Sequence, residues 1–313
     1  CESPRALITV TVNAIPAAPG VTNPAPYCVG ATPTQLTATG SNLLWYSSLT
    51  DTTGDTTAPT PSTTLAGTTN YYVSQTVSGC ESTRALITVT VNAIPAAPGV
   101  TNPAPYCQNE TAAALTATGT SLLWYSSRTD IASDTAAPTP STAIVGAENF
   151  YVSQTVNGCE STRALITVTT KAIPAAPGVT NPAPYCVGDT PSVLTATGTS
   201  LLWYSSLTDI TGDTAAPTPS TAVAGAFDFY VTQTVNACES PRALITVTVN
   251  AIPAAPAVTN PAPYCVGTTA TQLTATGANL LWYTNATGGT GNTTAPTPST
   301  TIAGTTNYYV SQT

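Results

Sequence analysis

The side chains best suited to covalent chemistry are eight cysteines in two series, Cys1, Cys80, Cys159 and Cys238, and Cys28, Cys107, Cys186 and Cys265. Each series advances by 79 residues. Next come paired carboxylates: Asp51 and Asp55 recur as Asp130 and Asp134 and as Asp209 and Asp213, a spacing conceivable for calcium on a loop. Gly288 and Asn292 stand at the fourth equivalent positions, so a site common to all repeats fails, and solvated loop acids are the simpler reading. There is no histidine, so the familiar nucleophile and base triads have no base. No catalytic residue, cofactor or metal is expected, and the chain reads as a non-enzyme.

Other polar groups recur in the same frame. Glu81 and Arg84 return as Glu160 and Arg163 and as Glu239 and Arg242, with Glu2 and Arg5 at the start. A guanidinium beside a hairpin is expected to brace it, or a module junction, through carbonyl and carboxylate contacts. The ring pairs Tyr71 and Tyr72, Phe150 and Tyr151, Phe229 and Tyr230, and Tyr308 and Tyr309 offer stacking to sugars, but one ring of each pair is expected in a core.

The elements that position these groups follow from the period, which belongs to the whole chain: PAPYC, LLWY and APTPST each occur four times. Within one repeat, residues 34–39 and 85–91 alternate apolar with polar, and residues 43–48 and 71–77 are aromatic and β-branched. These read as four strands, with Gly40-Ser41 and Ser78-Gly79 as the turns of two hairpins. Pro59 and Pro61 confine residues 51–67 to loop and edge strand, and Pro24 and Pro26 interrupt another edge segment. Six or seven short strands in each repeat predict an all-β chain of tandem immunoglobulin-like sandwiches, with Trp45 in the core. The modules are expected at 16–94, 95–173, 174–252 and 253–313, the last without its final strand, with residues 1–15 as the final strand of a preceding module. On the order of 35–40 Å per module, they would form a linear rod with proline-stiffened joints.

Charged residues make up only 6% of the chain and the formal net charge is −8, which argues against nucleic acid and anionic membrane as partners. No apolar run approaches the ~20 residues of a membrane helix, so no membrane insertion is expected.

YCVG, LTATG, LLWY, NYYVSQT and GCESTRALITVTV, in this order, resemble the immunoglobulin-like repeats of giant surface and gliding-associated adhesins of Bacteroidota. The resemblance covers the whole chain. It implies export by type IX secretion and an extracellular location, on the cell surface or in a released filament, with the chain serving as a structural stalk or filament shaft of an adhesin. A carbohydrate-binding array and an accessory region of a secreted enzyme are the alternatives. The resemblance supplies no catalytic residues. Asp-Thr followed by a small residue also resembles the O-glycosylation signal of that phylum, which marks Thr56, Thr135 and Thr214 as modification candidates, with a further match at Thr52.

Extracellular cysteines suit disulfides, which a thin core needs. Pairing inside modules joins Cys28 to Cys80, Cys107 to Cys159 and Cys186 to Cys238. In an immunoglobulin-like topology, however, those positions lie at opposite poles, roughly 20–25 Å apart, beyond the reach of a cystine. Pairing between successive modules joins Cys28 to Cys159 and Cys107 to Cys238. Both schemes stay open, the distance argument favouring the second. Expected partners are further copies of the repeat, in the same chain or head-to-tail, and surface glycans. Residues 1–15 are also suited to completing the last module of another copy, by strand donation.

Overall fold

The computed structural model describes residues 1–313 and contains strands without helices. No helix is long and apolar enough to cross a membrane. The chain forms two compact units, residues 1–172 and 173–313.

In the first unit, the leading module contains β1 (Gly20–Val21), β2 (Tyr27–Cys28), β3 (Ala38–Thr39), β4 (Leu43–Tyr46), β5 (Gly67–Val77), β6 (Cys80–Glu81) and β7 (Ala85–Asn92). One sheet has the order β2-β7-β5-β4, with β6 on β5; the other is the pair β1-β3. The central strand is β7, antiparallel to β5 along seven residue pairs and parallel to β2 at Tyr27 and Cys28. Its alternation directs Ile87, Val89 and Val91 inward. Ile87 and Val89 meet Leu36, Trp45 and Val73 in the core. Each aliphatic side chain so buried contributes about 1.5–3 kcal/mol.

Three local expectations change. Residues 34–39 yield only a two-residue strand, because the neighbouring segment is rich in proline and offers a single carbonyl, that of Pro59, to the Leu36 N–H. The turn at Gly40-Ser41 does not make a hairpin: β3 and β4 lie in different sheets, so the chain crosses the sandwich there. Conversely, β5 begins at Gly67, four residues earlier than its aromatic run, since Thr68, Thr69 and Asn70 find ladder partners on β7. The second turn holds, with Ser78 (φ 48°) and Gly79 (φ 81°) in left-handed conformations.

Residues 1–19 form no strand. Leu7, Ile8, Val10 and Val12 alternate as β7 does, yet they are 81–90% exposed.

The second module repeats the plan from β8 (Gly99–Val100) to β14 (Ala164–Lys171). In the second unit, β15 (Gly178–Val179) to β21 (Ala243–Asn250) repeat it again. A sparser set follows: β22 (Ala257–Val258), β23 (Ala275–Thr276), β24 (Leu281–Tyr283) and β25 (Tyr309–Ser311).

Candidate functional site: a module clasp and a braced loop

Two polar constellations recur, one at a joint and one on a loop. The joint lies between the first two modules. Cys28 is bonded to Cys159 with Cα atoms 5.6 Å apart. The pairing inside a module, Cys28 with Cys80, is excluded by the sheet itself: Cys28 sits beside Asn92, level with the Gly67 end of β5, while Cys80 pairs with Val77 at the other end. Ten residues of extended strand separate those levels, ~33 Å. Cys80 is free. Cys107 with Cys159 is excluded because Cys159 is engaged by Cys28, and Cys186 with Cys238 is excluded because Cys186 is free. Cys107 and Cys238 are themselves disulfide-bonded.

Beside the clasp, the Asn92 amide donates to the Asn157 carbonyl at 2.9 Å, from the last residue of β7 to the turn of the next module. Asn13 makes the same bond to the Ser78 carbonyl at 3.0 Å. These asparagines were not anticipated, although their recurrence at 13, 92 and 250 was a visible signal.

The loop after β4 carries the recurring acids. Asp51 accepts bonds from the backbone N–H and hydroxyl groups of both Ser47 and Ser48. The hydroxyls of Ser47 and then Ser48 hold its carboxyl down at about 2. Asp209 is also held at about 2, by Ser206 and Ser205, and Asp130 is lowered by Ser126 and Ser127. Asp55 sits elsewhere, bridging backbone to backbone with Trp45 and accepting the Thr57 N–H. The two acids therefore serve separate turns of the loop.

Arg84 braces this loop. Its guanidinium lies 3.4 Å from the centroid of the Tyr46 ring and donates to the carbonyls of Ser48, Leu49 and Asp51. Glu81 accepts from the Tyr46 hydroxyl and from Ser74, both at 2.5 Å. The Ser74 and Tyr46 hydroxyls, with Arg84 adding charge, lower the Glu81 carboxyl. The set recurs at Tyr125, Glu160 and Arg163 and at Tyr204, Glu239 and Arg242. Bracing within the module is thus the role of the Glu and Arg; the tyrosine plank between them was not expected from the sequence, which placed only Trp45 of LLWY in the core. Of the aromatic pairs, Tyr71, Phe150 and Phe229 pack on the cores.

One repeat differs. Gly54 lies so close to Leu44 and Tyr46 that an added Cβ would come within 2.7 Å of each. Ser133 occupies that position in the second module, where a recess of about 650 Å³ is lined by Trp124, Tyr125, Ile131 and Phe150. The proposed attachment threonines, Thr56, Thr135 and Thr214, are exposed on this loop in their modules.

The family comparison agrees with this architecture. The profile of the family described as "Ig-like domain CHU_C associated" matches residues 16–92, 95–171 and 174–250. No curated protein is matched. Among solved structures, the chain is similar to the protocadherin GammaB4 extracellular domain, at 12% identity over 85% of this chain and a TM-score of 0.23, and spans 58% of that protein. Human CDH23 EC21-23 is matched at 13% identity over 74% of this chain and all of that one, with a TM-score of 0.25. Immunoglobulin domains 1–4 of Sidekick-1 are matched at 15% identity over 86% of this chain and 85% of that one, with a TM-score of 0.19. With three consecutive modules matched in the frame that the cysteines and strands define, the chain belongs to the CHU_C-associated Ig-like domain family.

Proposed function

We propose that the chain is a section of the stalk or filament shaft of an extracellular adhesin, of the surface type that Bacteroidota export by type IX secretion. The observation that carries this reading is the Cys28–Cys159 clasp, which gives one joint a second covalent crossing beside the peptide chain. Domains joined only by a linker and a polar contact are expected to bend freely. A cystine closing a long loop restricts that freedom, and it persists in an oxidising, extracellular setting. The recurring polar groups support the same reading, since the conspicuous glutamate, arginine and aspartate side chains are spent on their own loop. The exposed threonines at 56, 135 and 214 would carry O-glycans on the flank of the shaft. The intact mass of native material tests that part: excess mass on those peptides is expected, and a bare mass rejects it.

Antibodies raised against the chain, applied to intact producing cells under the electron microscope, test the stalk. Gold label on surface filaments is expected. Label that appears only after permeabilisation would overturn the reading, and hydrolysis of a polymer by the purified chain would replace it with an enzymatic one.

A further inference from the structure

Three turns of one kind stand at equivalent places in the first three modules, and one of them is built to react with itself. Ser78-Gly79, Asn157-Gly158 and Asn236-Ala237 each follow the long strand that ends at Val77, Val156 or Val235. All six residues lie in the left-handed region, at φ 48° and 81°, 50° and 81°, and 53° and 68°. Asparagine followed by glycine suits such a turn for its backbone. It is also the pair most open to attack by a main-chain nitrogen on the preceding side-chain amide, because glycine sets no Cβ beside that nitrogen. Asn157-Gly158 is the one such pair in the sequence. Ser78 has no amide to lose, and Ala237 places a methyl group next to the nucleophile.

The reacting groups are accessible. Asn157 and Gly158 are exposed, and the Asn157 side chain takes part in no hydrogen bond. The strand pairing ends at Val156 with Cys159, so the Gly158 N–H lies outside the ladder.

What holds the turn still is the joint between the first two modules. Asn92 donates its side-chain amide to the Asn157 main-chain carbonyl at 2.9 Å. The Cys28 sulfur lies 3.7 Å from the Gly158 carbonyl oxygen, and the Cys159 sulfur lies 4.0 Å from the Asn92 carbonyl oxygen. The cystine itself anchors Cys159, the residue after the turn, which is 1% exposed. Closing a ring between the Gly158 nitrogen and the Asn157 side chain requires the peptide between them to rotate out of the left-handed turn. A turn pinned from both modules rotates only when the joint opens locally.

We propose that Asn157 is a self-modifying site, which the clasp holds in check and whose product loosens the joint. The Gly158 nitrogen bonds to the Asn157 side-chain carbonyl carbon, the C–N bond of the side-chain amide breaks, and the amide nitrogen leaves as ammonia with the Gly158 proton. Water then opens the resulting five-membered imide at one of its two carbonyls. Opening at the side-chain carbonyl gives aspartate and restores the main chain. Opening at the main-chain carbonyl gives isoaspartate: the chain then runs through the side-chain carbon, and the carbonyl that accepted the Asn92 amide becomes a carboxylate off the chain. This route adds one methylene between Val156 and Cys159, the pair that closes the ladder and seats the cystine. The inference goes beyond the stalk reading and stands or falls separately.

Peptide mapping of the 313-residue chain aged in warm, mildly alkaline buffer tests the site, reading the exchange of an amide NH2 for OH as a gain in mass. In Cys28→Ser, whose joint lacks the cystine, Asn157 is expected to convert ahead of every other asparagine. In the clasped chain it should convert roughly tenfold more slowly, because the turn opens less often. If Asn157 converts no faster than the other asparagines in the unclasped variant, the site is overturned, and equal rates in the two chains overturn control by the clasp. Gly158→Ala copies the third module's turn and has room, with nothing within 4 Å of an added Cβ. It is expected to slow the conversion in either chain, and an unchanged rate would overturn the imide route. Spin labels on the first two modules read the consequence. The isoaspartate form, separated by chromatography, should show a broader distance distribution than the unaged chain, and an identical distribution would overturn the loosening. None of these outcomes bears on the surface labelling that tests the stalk.

Discussion

Residues 16–92 and 253–313 share their motifs, but only the first stretch includes the segment that forms β7, and setting the two side by side shows what that strand touches. With β7 present, β5 runs for 11 residues and β2 joins the sheet. Where it is present, Ile87 and Val89 complete the core, Glu81 and Arg84 hold the Tyr46 side chain, and Asn92 reaches the turn of the next module. A single segment thus fills the core, braces the loop and leads into the joint. The reason is its central place in the sheet, where both edges and one face are occupied.

The largest test of this comparison is Val89→Asp. It puts an unpaired charge into a fully packed site and is expected to unfold the first module outright. Urea denaturation followed by Trp45 fluorescence checks it; Trp45→Ala, at about 3–5 kcal/mol, bounds the core from the other side.

The clasp comes next. Cys28→Ser is expected to cost up to about 2–5 kcal/mol in the coupling of the first two modules while both sandwiches stay folded. Spin labels on the two modules should report a broadened distance distribution. Peptide mapping without reduction is expected to recover Cys28 with Cys159.

A smaller effect is expected from Arg84→Ala, about 1–2 kcal/mol through the lost ring stacking and carbonyl bonds, seen as faster amide exchange at residues 47–51. The same loop should respond to acid. Because folding holds the Asp51 carboxyl at about 2, its contribution is present in full above the ordinary aspartate range, near 4, and is lost as pH falls through about 2. Amide exchange at Ser47 and Ser48 should therefore rise between pH 4 and 2, while residues 284–288, where Gly288 replaces the aspartate, should not change. Smallest of all, Ser133→Gly, which restores the glycine found at 54, 212 and 291, is expected to slow amide exchange at residues 130–134 slightly.

Much of this was legible before any coordinates. The period, the β class, the core position of Trp45 and the alternation of residues 85–91 follow from local patterns, because the side chains of a half-buried strand must alternate wherever it sits. The distance argument against Cys28 with Cys80 was also available, since strand length alone separates the poles of a sandwich. Other features depend on which segments become neighbours. The crossing at Gly40-Ser41 reads locally as a hairpin, and only packing assigns β3 and β4 to different sheets. Tyr46 carries the burial signature of a core residue, and its second duty as the plank beneath Arg84 exists only once strands distant in sequence lie side by side. Sequence determined the repeating unit and its strands; the tertiary structure decided which cysteines meet and which acids are spent on loops, since these depend on distances across the sandwich that no local pattern encodes.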